Sequence, residues 1–382
     1  MEWEVYELSV KETYAEVEAG KLKLLGSSRL KKFAARVLID GKVGFASAES
    51  ERKAIEMAEK LAKVSGEKLD DFPVEKPAKV SGIYDRRVED LTPEFLREEL
   101  ERLQNVAVAR ISHSVSEVKI RNSFGLDVEE KSTSSSLLVE VVTEGSGYWY
   151  EETRSLELDI EGCVERAKQL AEISARARKI EKGVYDVVLS PLAVDQLFSN
   201  TIYAALSAEN VVKGRSPLKI GEYLGELKMI DDATLSGGLN SCSFDDEGVA
   251  AKRKVLVDGE VKSFLTDWKH SKTFGVTGNG FREEVTLPPS PSPTNVVVET
   301  KKCDAEDAIY VHQFIGAHTA NPVSGDFSYE CHHATLNDEP VRLMVYGNVY
   351  ELLRNLEGRV GEVEQHGNTV SAALRFRDVR VV

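Results

Sequence analysis

Hydrophobic and polar residues alternate through the first 45 positions, which predicts strands. Glu16-Val17-Glu18-Ala19-Gly20 and Ile39-Asp40-Gly41-Lys42 supply the hairpin turns between them. A helix is predicted at about 48–64, with Ala54, Ala58 and Leu61 on one stripe and Ser47 or Ser50 as its cap. Thr92-Pro93-Glu94 starts another, with Leu96, Leu100 and Leu103 on its buried face. From 105 to 158 the pattern returns to strands, turning at Asn122-Ser123-Phe124-Gly125 and at Gly145-Ser146-Gly147. A helix at about 160–180 should end in Arg176, Arg178 and Lys179, cations suited to a helix C-terminus, and stop at Gly183. Asp186-Val187-Val188-Leu189 reads as a short buried strand. Ser190-Pro191 opens a helix carrying Leu192, Leu197, Phe198, Ile202 and Leu206. The remainder is β-rich. Val255-Leu256-Val257 and Phe264-Leu265 flank Asp258-Gly259, a two-residue hairpin signal.

Helices lie beside hairpins rather than alternating with single strands, so the class is α+β. The expected organisation is an N-terminal α+β domain (1–182) of antiparallel strands and helices, then a C-terminal β-rich domain (183–382) with a large curved mixed sheet. The first divides into about 1–65 and 90–182, joined by a charged linker over 66–90 that contains Pro73 and Pro77. Hydrophobic content of 42% and charged content of 30% fit a globular chain of this length, 382 residues. A net charge of -15 opposes a phosphate backbone, so nucleic acid is not expected as a partner. No apolar run is long enough to span a bilayer. The acidic, alternating N-terminus does not read as a signal peptide, and Cys163, Cys242, Cys303 and Cys331 show no paired spacing. The expectation is a cytoplasmic protein with reduced thiols.

Two stretches carry the candidate chemistry. Gly237 and Gly238 permit backbone shapes closed to other residues, and Asp245-Asp246-Glu247-Gly248 makes a polar turn before an apolar run. Consecutive acids suit a solvated turn better than the spaced oxygen ligands of one cation. The glycine-rich 275–280 lacks the lysine of a phosphate loop. Gly237-Gly238-Leu239, Phe244-Asp245-Asp246-Glu247-Gly248-Val249 and Gly278-Asn279 form one run. Asn321-Pro322-Val323-Ser324-Gly325-Asp326-Phe327-Ser328 forms a second. In this order they resemble the TldD/PmbA family, long labelled modulators of DNA gyrase and understood as a peptidase system. The likeness covers most of the chain and is strongest from about 185 to 350. The second run resembles the PmbA (TldE) branch.

The resemblance implies a heterodimer with a TldD-type chain, zinc in that partner, and unfolded peptide admitted to a chamber between the two. Self-association without the partner is left open. Matching positions Gly237, Gly238, Asp245, Asp246, Gly248, Asn279, Asn321, Pro322, Gly325, Asp326 and Phe327 become candidates for the peptide channel or the interface. Turn chemistry alone is the competing explanation for each. In the TldD branch an HExxxH helix binds zinc: two histidines one turn apart hold the ion and a glutamate activates water. The corresponding stretch here, 192–206, has neither histidine nor glutamate, and Gly358-Arg359-Val360-Gly361 lacks that branch's late cysteine. No cofactor is therefore expected in this chain and no catalytic residue is assigned. The remaining metal candidates are Cys331, His332 and His333, with His318 nearby in sequence. A strand would place Cys331 and His333 on one face and His332 on the other, which does not bring three ligands to one ion. Two alternatives stay open: an independent hydrolase with a different site, although no GxSxG elbow occurs, and a gyrase modulator or nucleic-acid-associated protein.

Overall fold

The alternating stretches fold into long antiparallel strands. In a computed structural model, which describes every residue except 104–105 and 276–277, β1 (Glu2–Glu18), β2 (Lys21–Ile39) and β3 (Lys42–Ala48) form a meander. Its turns place Ala19-Gly20 and Asp40-Gly41 at positive φ, the geometry that matches strand twist. Helix α1 (Glu51–Ala62) buries Ala54, Ala58 and Ala62, while Leu61, expected on that stripe, is exposed. Small residues are required because the helix backbone lies against Gly44, where an added Cβ would meet the Ala58 carbonyl oxygen at 2.2 Å. Residues 66–85 hold no regular element but are tied along their length. Leu69 bonds to Gly41, Asn122 donates to the Pro73 carbonyl, and Thr133 donates to that of Ile83.

After α2 (Arg86–Glu89) and α3 (Pro93–Glu101), β4 (Val108–Asn122), β5 (Asp127–Val142) and β6 (Ser146–Thr153) complete a six-stranded sheet, in order β3-β2-β1-β4-β5-β6. Leu96, Leu100 and Leu103 are buried as the spacing predicts. With α4 (Ile160–Arg176) they cover Ala15, Ile111 and Leu137 on one sheet face. Helix α4 ends before Arg178, not at Gly183. Arg178–Lys179 instead forms a short strand, β7, and Gly183 opens β8 (Gly183–Leu189).

The sequence from 190 on builds a second sheet. Helices α5 (Pro191–Ser199), α6 (Ile202–Ala205) and α7 (Ala208–Val212) precede β9 (Tyr223–Asp232) and β10 (Arg253–Val261). Helix α8 (Ser271–Phe274) and a two-stranded β11 (Gly280–Phe281) and β12 (Ser290–Pro291) follow. Then come β13 (Val296–Glu299), β14 (Ile309–Ile315), β15 (Asp326–Leu336), β16 (Glu339–Asn348), α9 (Val349–Arg354), β17 (Leu356–His366) and β18 (Thr369–Val381). This ten-stranded mixed sheet runs β10-β9-β13-β18-β8-β14-β15-β16-β7, with β17 beside β18. Val345 of β16 also bridges Val381 of β18, so five strands close into a barrel-like ring. The two large sheets share no strand, and the class is α+β.

Two local expectations are altered. The helix read over 192–206 breaks at Asn200-Thr201, where Asn200 donates to the Gln196 carbonyl and Thr201 to that of Leu197. These side-chain bonds compete with continuation of the helix. The hairpin expected at Asp258-Gly259 forms as an irregular reversal. β10 runs through both residues with register shifts against β9, and the Leu256 carbonyl then accepts from Lys262 and Ser263 N–H, which folds the chain back so that Phe264 and Leu265 enter the core. Gly259, at φ +67°, takes the left-handed position in this turn.

Candidate functional site

The first motif run lies at the seam between the two sheets. Asp245 holds its own turn: its carboxylate accepts from the backbone N–H of Glu247, Val249 and Gly280. Asp246 accepts from Arg282 N–H. Glu247 accepts from Trp268 N–H at 2.6 Å and from Arg36 Nη1 at 2.5 Å. Arg36 belongs to β2 and also grips Glu4 of β1 through two bonds. Arg282 is fully enclosed beneath Tyr6 and Phe45, 5.0 and 5.4 Å from their ring centres. The acid triplet is thus no solvated turn: Asp245 and Glu247 are each 1% exposed. Two arginines 36 and 282 residues into the chain, invisible from the local sequence, make that burial tolerable. Burial pushes the carboxyls of Asp245, Asp246 and Glu247 up. Burial also pushes Arg282 down, helped by neighbouring Arg36. Gly248 sits at φ +82°, and an added Cβ would meet Leu126, in the turn between β4 and β5, at 2.3 Å, so the loops of the two halves touch at this glycine.

The rest of the run extends the seam. Arg154, at the end of β6, donates to the carbonyls of Gly238 and Ser241, and Gly237 N–H donates to Ser81. Glu130 of β5 accepts from Ser243 N–H through both oxygens. Asn279 donates to Asp231, which also binds Thr294 and pairs with Lys254 at 3.0 Å. Part of the glycine-rich 275–280 loop lies outside the described residues.

The second run is elsewhere and differently built. Asn321, Pro322 and Asp326 are exposed, while Gly325 and Phe327 are buried. Asn321 accepts from the N–H of Val323 and Ser324, Ser324 donates to Asp326 at 2.6 Å, and Asn348 donates to Asp326 at 2.9 Å. These bonds hold the Asp326 carboxyl below the usual range. Phe327 packs on Tyr329 beneath this turn. The seam residues and the turn residues therefore bond to different parts of the molecule.

The metal candidates disperse. Cys331 and His333 face inward and His332 outward, where it bonds Glu330 at 2.6 Å. His333 Nε2 lies 2.8 Å from the Ser146 carbonyl and its Nδ1 3.0 Å from Gln313, so both ring nitrogens are engaged. Burial pushes its pKa down, and His312 beside it falls to about 4 for the same reason. His318 lies in a separate exposed turn. Among the described residues no three His, Cys, Asp or Glu side chains are placed to hold a metal ion. Helix α5, at the position where the TldD branch carries zinc ligands, presents Asp195, Gln196 and Ser199 instead. Asp195 accepts from Thr369 at 2.7 Å and from Ser199, and Gln196 is tied to both backbone groups of Phe314. A zinc ion needs several free nitrogen, sulfur or carboxylate donors. The residues on α5 do not fit one.

One arrangement around α5 escaped the sequence reading. Asp195 is a single acid on the apolar helix LAVDQLF, and that isolation was the available signal. Burial raises its carboxyl. Tyr148 of β6 bonds Gln196, and Tyr150 and Glu152 of the same strand lie near enough to feel the Asp195 charge. Burial raises the Tyr150 hydroxyl and the Glu152 carboxyl, and the Asp195 charge lifts each further. His366 stands edge-on to Trp149 and Tyr150 and bonds Glu364. Among the described residues no helix is long and apolar enough to cross a membrane.

Comparison with known proteins gives a consistent answer. Models of PmbA/TldA metallopeptidase domain 1, central domain and C-terminal domain match residues 3–62, 47–175 and 182–382. An uncharacterized protein of Methanocaldococcus jannaschii is 35% identical over 367 residues, covering 90% of this chain and 87% of its own. A protein named metalloprotease from Methanothermobacter thermautotrophicus is 27% identical, covering 89% and 83%. The crystal structure of TldE from Thermococcus kodakarensis superposes with a TM-score of 0.89 at 26% identity, covering 100% of this chain and 96% of that one. Sequence models and relatives thus agree from one end of both sheets to the other, and the chain belongs to the PmbA/TldD metallopeptidase family.

Proposed function

We propose that this chain is the zinc-free, TldE-type member of a two-chain metallopeptidase, pairing with a TldD-type subunit that supplies the metal. The observation that carries the reading is α5. Where a catalytic member needs two histidines and a glutamate, this helix has Asp195, Gln196 and Ser199, all bonded within the chain. The likeness to a protein titled TldE supports the same assignment. The role left to such a chain is confinement: it closes a chamber in which a flexible peptide is held near the partner's metal and folded proteins are excluded. On this reading residues 1–182 and 183–382 act as two functional units, and the seam built by Asp245, Asp246, Gly248 and Asn279 fixes their relation. The turn at Asn321, Pro322 and Asp326, exposed at the surface, is a candidate contact for the partner.

Metal analysis and a peptide-cleavage assay test the proposal. The purified chain should carry no stoichiometric zinc and cleave nothing. Mixed with a TldD-type chain from the same cell, it should form a complex with chelator-sensitive activity. One zinc per lone chain with chelator-sensitive cleavage would overturn the reading in favour of an independent hydrolase.

A further inference from the structure

The face of the six-stranded sheet opposite α3 and α4 is covered at one end only, where Tyr6, Ala34 and Ile120 pack on Phe244 at the seam; its other end is bare. Side chains alternate across the sheet, so Ala15, Ile111 and Leu137 go under α3 and α4. Their neighbours Leu24, Glu16, Arg110, Leu138 and Tyr150 form a rung on the opposite face, each directly paired with the next across β2, β1, β4, β5 and β6. The adjacent rung is Gly26, Tyr14, Ser112, Ser136 and Glu152. These rungs line a cavity of about 440 Å³. At its β2 side stands an exposed apolar side chain, Leu24, at 49%. At its β6 side it reaches Glu152, which feels the charge of Asp195 on α5.

The charge of this trough is one-sided. Glu12, Glu16, Glu151 and Glu152 line it against one cation, Arg110, which already pairs with Glu16 at 3.3 Å. Neither Glu12 nor Glu152 forms an ion pair among the described residues. Glu151 is turned toward α4, where it accepts from Asp159 N–H. Glu152 is exposed at the trough; Asp195 adds negative charge near it and His366 and Arg154 add positive charge, none of them bonded to it among the described residues, so its carboxylate is open to a cation lying in the trough.

We propose that this bare face binds an extended peptide segment through apolar side chains laid on Leu24, Tyr14 and Leu138 and a cationic group seated at Glu152. The cation is a lysine or arginine side chain of that peptide. The inference rests on the peptide-handling role proposed above and adds to it a preference in substrate and a location. Its occupancy would bring a peptide up to α5, the element that the catalytic branch uses for its metal.

The test uses the full chain alone and fluorescence anisotropy with a C-terminally labelled, unstructured decapeptide alternating leucine and lysine. A counterpart carries glutamate in place of lysine, and both are made with free and acetylated N-termini. The lysine peptide should bind about tenfold tighter, the scale of one charge-assisted hydrogen bond. Glu152→Gln should remove most of that preference with an unchanged melting temperature. Leu24→Ser, at an exposed position, should weaken both peptides alike. Glu56→Gln on exposed α1 controls for the bulk charge of -15. The preference should survive acetylation of the N-terminus; its loss on acetylation would overturn the side-chain assignment. Equal binding of the two peptides, or a preference that persists in Glu152→Gln, overturns the proposal. So does self-association of the chain that Leu24→Ser abolishes without any peptide binding, which would make the face an interface between copies. Zinc in the lone chain would defeat the subunit reading while leaving this measurement standing.

Discussion

The two motif runs, equally conspicuous in the sequence, occupy opposite physical situations. Asp245, Asp246 and Glu247 are sealed between two sheets and depend on Arg36, Trp268, Gly280 and Arg282. Asn321, Ser324 and Asp326 form an exposed turn whose partners are one another and Asn348. The first run is a cross-link through which distant parts of the chain hold each other. The second is a local device that leaves its polar surface facing solvent. A polar, glycine-containing motif therefore says that the backbone is specially shaped, without saying whether that shape is inside or outside.

The largest expected effect is at the cross-link. Arg36→Ala strands Glu247 and leaves Glu4 only Arg282 at 3.8 Å, both acids being nearly sealed from solvent, and should cost about 3–5 kcal/mol by urea denaturation. Gly248→Ala should cost about 1–3 kcal/mol, because the methyl group overlaps Leu126 and the backbone stays at positive φ. In the exposed turn, Asn321→Ala loses two bonds to backbone N–H groups that water can replace, and about 1 kcal/mol is expected. A loss at Asn321 as large as that at Arg36 would erase the distinction between the runs.

The smallest effect has opposite signs in the two places. The Asp246 carboxyl is raised by burial and by the Glu4 charge. Its stabilising contribution is full below the unfolded carboxylate range and declines as pH rises through the folded value. The Asp326 carboxyl is lowered by Ser324 and Asn348. Its contribution is present above the unfolded value near 3.8 and lost as pH falls toward the folded one. Relative to the parent, Asp246→Asn should therefore tilt stability upward with rising pH above 4. Asp326→Asn should flatten the acid limb below it. Unfolding free energies from pH 3 to 7 check both, and slopes of the same sign would break the comparison.

Much of the fold was legible because its causes are local. Alternation, with Ala19-Gly20 and Asp40-Gly41 at the turns, marked the first meander, and Leu96, Leu100 and Leu103 marked the buried face of α3. Errors came where neighbours overrode that code. Asp258-Gly259 has the composition of a two-residue hairpin turn, and the chain does fold back there, but through a longer irregular loop closed by Leu256 onto Lys262 and Ser263. LAVDQLFSNTIYAAL has helical periodicity, yet Asn200 and Thr201 turn their side chains onto the backbone and split it. Of the candidate site, the motif positions were legible and their surroundings were not.

By itself the sequence determined the strands, the main helices, the absence of a zinc-binding triplet on α5 and the family likeness, since each rests on residue types within a few positions of one another. Only the tertiary structure decided that three consecutive acids would be buried, that Arg36 would meet Glu247 from 211 residues away, and that Glu152 and Asp195 would share the end of a bare sheet face. Charge pairing and burial depend on which distant surfaces meet, and Coulomb and desolvation energies are set by that meeting, not by order along the chain.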